Sequence, residues 1–198
     1  MTSGAVLPTT AWAVLGMLSH AEELSGYDLK KWADRSLQLF YWSPSFSQIY
    51  AELKRLEQHG YVTSRIVLPV DGVRGKRMYV ITAAGRDAVA QWVNRSAVEA
   101  PVLKHSVLLR VWLGHLADPD RLREMLTAHI DHMDSMRRRA EADAGKAGRC
   151  SRAFPGAVLR WCVRHYEAER EFARELLADL EELTGTTRAP TAAAPDSA

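Results

Sequence analysis

The stretch SPSFSQIYAELKRLEQHGYVTSRIVLPVDGVRGKRMYVITAAG, Ser43 to Gly85, decides how this chain folds. Its order is a helix, a tight turn, a two-stranded hairpin with a basic tip and the start of another helix, which is the order a winged helix-turn-helix needs. Two starts compete for the first helix. Ser43 with Pro44 offers an N-cap and a first helical residue, while Ser45 with Gln48 three positions on offers a capping box. Phe46, Ile49, Leu53 and Leu56 then recur at helical spacing and form one apolar stripe that has to face a core. Ser47, Gln48, Ala51, Lys54, Arg55 and Gln58 are left on the other side. Gly60 closes the helix, because glycine adopts the left-handed conformation there without steric cost.

The hairpin follows at once. Tyr61 to Leu68 alternates Val62, Ser64 and Ile66 against Thr63 and Arg65, and Lys76 to Thr82 is its partner strand. The connection PVDGVRG carries a proline, an Asp-Gly pair and a second glycine, which is turn chemistry, and Arg74, Lys76 and Arg77 flank it. A helix with small polar residues outside fits the major groove, and a basic hairpin beside it reaches backbone phosphates or the minor groove. Taken singly, a polar helix face is a solvated face and a basic turn a soluble turn; their succession at these lengths points to DNA. Ser47, Gln48, Tyr50, Ala51, Lys54 and Arg55 are therefore expected at the major groove. Gln48 could pair with an adenine edge, and Lys54 or Arg55 with guanine or phosphate. Tyr50 lies at the margin of the apolar stripe, so its bland role is packing with the hydroxyl free. Arg74, Lys76 and Arg77 are expected to hold phosphates, which positions a protein without reading sequence.

SQIYAELKRLEQHGYV followed by GKRMYVITAAGRDAV resembles the PadR-type transcriptional regulators, with their Gln-Ile-Tyr and Leu-x-x-Leu recognition helix and their Tyr-x-x-Thr-x-x-Gly exit from the wing. Upstream, LGMLSHAEELSGYDLKKWAD is similar to the same family's opening two helices, so the resemblance spans roughly residues 9 to 93. One departure is Ala51, where many relatives carry proline or a larger residue. The expected function is a sequence-specific DNA-binding transcriptional regulator, a repressor acting as a homodimer on a pseudo-palindromic operator, with a small-molecule effector as a candidate partner.

Upstream of the deciding stretch, residues 1 to 8 are expected to be frayed, and Thr9 or Thr10 to cap a short buried helix, AWAVLGMLS. Ser25 with Asp28 resembles a capping box, after which Tyr27, Leu29, Trp32, Leu37 and Phe40 line a second helix. Downstream, Thr82 caps a helix from Ala83 to about Val93 in which Trp92 is core. Pro101 opens the apolar segment VLKHSVLLRVWLGHL, and Asp118-Pro119 caps a helix carrying Leu122, Met125, Ile130, Met133 and Met136. AGKAGR, Ala144 to Arg149, reads as a break.

The last helix is expected from Pro155 to Leu183, about 43 Å at 1.5 Å per residue. Val158, Trp161, Cys162, His165, Phe172, Leu176 and Leu180 mark its apolar stripe, longer than one small domain covers, so this stripe is the expected dimer interface, with a charge at Leu176 expected to split the dimer. The apolar pattern of this half resembles the virulence-activator C-terminal domain of longer PadR-type regulators. The expected fold class is thus mainly α with a small β-hairpin: a winged helix-turn-helix over residues 9–95, an α-helical C-terminal dimerisation domain over 96–183 and a disordered tail over 184–198.

Composition narrows the function classes. At 198 residues with 47% hydrophobic residues the chain can build an ordinary core. No run approaches the roughly 20 apolar residues of a membrane span, and MTSGAVLPTT has no charged-then-apolar leader, so a soluble cytoplasmic protein is expected. The net charge of +2 says little, although up to Arg95 there are 11 Lys+Arg against 8 Asp+Glu and beyond it 15 against 16. Cys150 and Cys162 are expected as reduced thiols. No nucleophile with a base and no glycine-rich phosphate loop is present, so neither an enzyme nor a cofactor is expected. His129 and His132 with Asp131 and Asp134 read as a solvated helix face rather than a metal site. Trp112, Trp161, His165 and Tyr166 read as packing first and as an effector pocket second. The alternative to DNA binding is a winged-helix module that binds protein.

Overall fold

The computed structural model describes residues 7–68, 75–147 and 153–186. The chain forms two compact units, one up to Ala100 and one from Pro101 onward. Arg74, Cys150 and the tail from residue 187 lie outside the described residues.

In the first unit α1 (Thr9–Leu18), α2 (Gly26–Arg35) and α3 (Phe46–Gln58) enclose the core, and α4 (Ala83–Arg95) follows the wing strands. The wing is β2 (Val62–Val67) against β3 (Lys76–Ile81), antiparallel, with Val62 opposite Ile81 and Val67 opposite Lys76. A two-residue strand, β1 (Leu24–Ser25), pairs with the other edge of β3, so the sheet has three strands where the sequence reading has two. Leu15, Leu18, Leu29, Ile49, Leu53 and Leu56 are fully buried in one cluster, each worth about 1.5–3 kcal/mol. Leu7, expected to be frayed, belongs to that cluster, and Pro8 rather than a threonine occupies the N-cap of α1. Phe40 and Phe46, expected to face inward, are half exposed; Phe46 sits on the first turn of α3 and stacks on Tyr27 with centroids 6.4 Å apart. Trp92 is half-buried against Trp12, the rings stacked at 5.6 Å.

Ser25 and Asp28 form the expected capping box: Asp28 N–H donates to Ser25 Oγ at 3.2 Å, and Asp28 Oδ2 accepts from Ser25 N–H at 3.1 Å. The Ser25 hydroxyl also donates to Asp28 Oδ2 at 2.6 Å, and Lys76 Nζ lies 2.9 Å from the same oxygen. The hydroxyl first, then Lys76, outweigh partial burial and hold the Asp28 carboxyl at about 2 against an ordinary 3.8. A depressed folded-state value means stability that is present above the unfolded value and lost as pH falls through the folded one. Asp28→Asn should therefore cost about 1–2 kcal/mol at pH 7, allowing for solvent screening, and almost nothing at pH 2. Urea melts of the two proteins at both pH values check it.

The second unit opens with α5 (Ser106–Trp112), shorter than the segment beginning at Pro101 suggests, because His105 is its N-cap: the His105 Nδ1 accepts from Leu108 N–H at 3.1 Å. Asp118 Oδ1 accepts from Asp120 N–H at 2.9 Å and opens α6 (Pro119–Ala147), which takes in the first four residues of the break expected over 144–149; the last two lie outside the described residues. α7 (Ala153–Thr186) has 34 residues, about 51 Å at 1.5 Å per residue, and includes the first three residues of the supposed tail. α6 and α7 pair along their length through Leu122, Leu126, Met133 and Ala140 on one and Leu159, Cys162, Tyr166, Ala173 and Leu180 on the other. Asp134 of α6 is the polar tie: Arg138 Nη1 lies at 2.5 Å, Arg170 Nη1 of α7 at 3.0 Å and Arg137 Nε at 3.3 Å. Burial works against its charge, yet these arginines hold it below the ordinary carboxylate range. Among the described residues no helix is long and apolar enough to cross a membrane.

Candidate functional site

α3 begins at Ser45, not Ser43. Gln48 N–H donates to Ser45 Oγ at 3.3 Å, and the Gln48 Oε1 accepts from Ser45 N–H at 2.8 Å. Gly60 at φ 70° then ends the helix as expected. With Ile49, Glu52, Leu53 and Leu56 buried, the period of 3.6 forces Ser47, Gln48, Tyr50, Ala51, Lys54 and Arg55 outward, and all six are exposed. Gln48 is already engaged in capping its own helix, so an adenine contact through both ends of its amide requires the capping box to open. Tyr50 lays the tip of its ring on α2, where a Cβ on Gly26 would come within 2.5 Å of it. Arg55 Nε lies 3.4 Å from the buried Glu52.

The wing bases are exposed but not idle. Arg77 Nη2 bonds Glu57 Oε2 at 3.0 Å, Arg77 Nε bonds Ser64 Oγ at 2.8 Å, and Ser64 in turn donates to Glu57 Oε1 at 2.6 Å. Lys76 is tied to Asp28 as described, and Arg65 holds Glu23 at 2.8 Å. These pairs join the wing to α3, α2 and the turn before β1, so they fix the hairpin relative to the exposed helix face. They also put carboxylates where phosphates are expected.

This unit is the match to known proteins. Residues 14–91 fit the transcriptional regulator PadR-like family. Over these residues the first unit is similar to that family. The negative transcriptional regulator PadR of Bacillus subtilis is 34% identical over 101 residues, 51% of this chain and 54% of PadR, so the match spans about half the length of that relative. A Streptococcus mutans protein superposes with a TM-score of 0.75 at 25% identity, over 85% of this chain and 98% of its own. B. subtilis PadR solved in complex with operator DNA gives 0.73 at 24% over 87% and 99%, and solved with p-coumaric acid 0.64 at 23% over 86% and 94%. The Vibrio cholerae virulence activator AphA gives 0.64 at 22% over 87% and 98%. Such coverage takes in the C-terminal helices, so the PadR-type fold extends over both units.

In the C-terminal unit the expected interface divides between two stripes on α7. Leu159, Tyr166, Ala173 and Leu180, seven apart, face α6, and Cys162 is fully buried with them. Leu176 packs on the cluster of Leu122, Leu126 and Leu180, so a glutamate there strikes the chain's own bundle first. One residue over, Val158, Trp161, His165, Ala168 and Phe172 follow at spacings of three and four, all exposed, with Trp161 at 55% and Phe172 at 61%. The Trp161 and His165 rings stack at 4.9 Å. The expected effector residues part in the same way: Tyr166 is buried, Trp161 and His165 lie on the outer stripe, and Trp112 stands exposed on α5. A cleft of about 610 Å³ opens elsewhere in the unit, lined by Arg110, Leu113, Leu116, Arg121, Leu122 and Met125 among others.

His129 also departs from the sequence reading. His132 and Asp131 are solvated, but His129 turns inward, its Nε2 3.2 Å from Glu169 Oε1, to which His105 Nε2 comes within 2.6 Å. Burial disfavours the Glu169 charge, and the two imidazoles more than offset it, so the carboxyl sits below its ordinary value.

Proposed function

We propose that the chain is a sequence-specific DNA-binding transcriptional regulator, a repressor acting in the cytoplasm as a homodimer on a pseudo-palindromic operator, without catalytic activity. The exposed face of α3 beside the basic wing carries this reading. Ser47, Ala51, Lys54 and Arg55 read base edges in the major groove, while Lys76 and Arg77, with Arg74 beyond the described residues, hold phosphates. Dimerisation uses the outer stripe of α7, whose three-four spacing from Val158 to Phe172 is that of a coiled-coil seam left exposed by the described residues. A small acid with an apolar body suits the cleft between Arg110 and Arg121 as an effector.

The ion pairs at the wing make this testable. Binding DNA means exchanging Glu57 for phosphate at Arg77. Lys76→Ala with Arg77→Ala should weaken all DNA sequences about equally and flatten the salt dependence by about one unit for each contact made. Glu57→Gln should do the reverse and tighten binding to unrelated DNA. Fluorescence anisotropy with labelled duplexes measures both; unchanged affinity in both variants would mean that the wing stays with its own carboxylates and never meets DNA.

A further inference from the structure

We propose that His105, His129 and Glu169 form a binding site for one divalent transition-metal ion of the zinc type. One ligand atom from each lies within 4.8 Å of the other two. The three residues come from three separate elements, the N-cap of α5, the middle of α6 and the middle of α7, so the site is assembled only by the folded unit. Their side chains are 15%, 13% and 23% exposed, which shields the ligands while leaving a side open to water. Two imidazoles and one carboxylate are a borderline-soft set that suits Zn²⁺, Co²⁺ or Ni²⁺, whereas Mg²⁺ and Ca²⁺ prefer all-oxygen shells. Metal bonds of about 2.0–2.2 Å require only small side-chain rotations from the present separations, and water completes the coordination.

The hydrogen bonding gives the site a specific consequence. His105 Nδ1 accepts from Leu108 N–H at 3.1 Å, so the proton of the neutral ring is on Nε2, where it is donated to Glu169. A metal on Nε2 displaces that proton, and the neutral ring then carries its proton on Nδ1. An N–H at Nδ1 no longer accepts from Leu108. Loading the site therefore uncaps α5 at its first turn.

The test uses the full-length chain, stripped of metal with a chelator and titrated with Zn²⁺ by calorimetry and with Co²⁺ by visible absorption. One ion per chain is expected. His129→Ala and Glu169→Gln should each weaken it by at least about tenfold. His105→Asn, which keeps an N-cap acceptor, should do the same. His132→Ala, on the same helix but solvated, should bind as the unmutated chain does. Circular dichroism establishes that each variant is folded. In the unmutated chain, exchange of the Leu108 amide should quicken once Zn²⁺ is bound, a readout that needs no variant. Absence of saturable binding, binding that survives Glu169→Gln and His129→Ala, or a Leu108 amide indifferent to Zn²⁺ overturns the proposal and leaves the three residues as a hydrogen-bonded cluster.

Discussion

Trp161→Glu combined with Phe172→Glu should turn a dimer into a folded monomer whose operator affinity is lower by at least about a hundredfold. Both side chains stand more than half exposed on the outer stripe of α7, so neither belongs to the buried set that packs that helix on α6. Charges there leave Leu159, Tyr166, Ala173 and Leu180 in place and the unit intact. What is lost is the second copy. On the proposed reading a homodimer engages two half-sites one DNA turn, about 34 Å, apart, so each half-site contact makes the next one intramolecular. Removing that linkage forfeits a factor of about 10²–10⁴ without touching a DNA contact. Sedimentation velocity and anisotropy on the same preparation measure both effects. A variant that stays dimeric moves the interface to the exposed side of α5, where Leu108, Leu109 and Trp112 lie.

Gly85→Ala should unfold the first unit at a temperature lower by about 10–20 °C, from a cost near 3 kcal/mol. Thr82 turns the chain from β3 into α4: its N–H donates to Tyr61 O at 3.0 Å, its hydroxyl to Gly60 O at 2.8 Å, and its Oγ1 accepts from Gly85 N–H at 3.0 Å. This draws Gly85 onto the strand. A Cβ there would lie 2.2 Å from Tyr61 O and 2.9 Å from Ile81 Cγ1. The first of these is backbone already held by the cap, so it has nowhere to go. Gly16→Ala is the contrast: a Cβ at that position meets nothing within 4 Å, so the substitution should be neutral or gain up to about 1 kcal/mol. Thermal melting, followed through the stacked Trp12 and Trp92, separates the two. Equal midpoints would mean that α4 can slide away from the strand at no cost.

The glycine of the Tyr-x-x-Thr-x-x-Gly exit could be picked out in the sequence, but the backbone oxygen that requires it could not. The same division runs through the molecule. The α3 stripe of Ile49, Leu53 and Leu56 was legible because helical periodicity reports one buried face, and Phe46 departs from it because periodicity does not say how much of each turn its neighbours cover. β1 is two residues long and has no period to read. The α7 stripe was visible as one broad band; that it is two seams, Leu159 to Leu180 inward and Val158 to Phe172 outward, depends on where α6 lies. Gln48 in its capping box was readable from Ser45 three residues before it. Arg77 on Glu57, 20 residues apart, and His105 on Glu169, 64 apart, are pairings that only the tertiary fold creates. His105 escaped notice as a cap because histidine is outside the usual Ser, Thr, Asp and Asn set.

The most direct measurement is the salt dependence of binding between the unmutated protein and a duplex selected by it from random DNA. With Lys76 and Arg77 on phosphates in both copies, and Lys54 and Arg55 adding to the count wherever they meet a phosphate instead of a base edge, log K should fall linearly with log salt, with a slope near −0.9 for each phosphate neutralised and a total between about −4 and −7. The selected duplexes should share two related half-sites one helical turn apart. A slope near zero, or a selection that enriches no common sequence, would contradict DNA recognition by this helix and wing and leave a protein-binding module in its place.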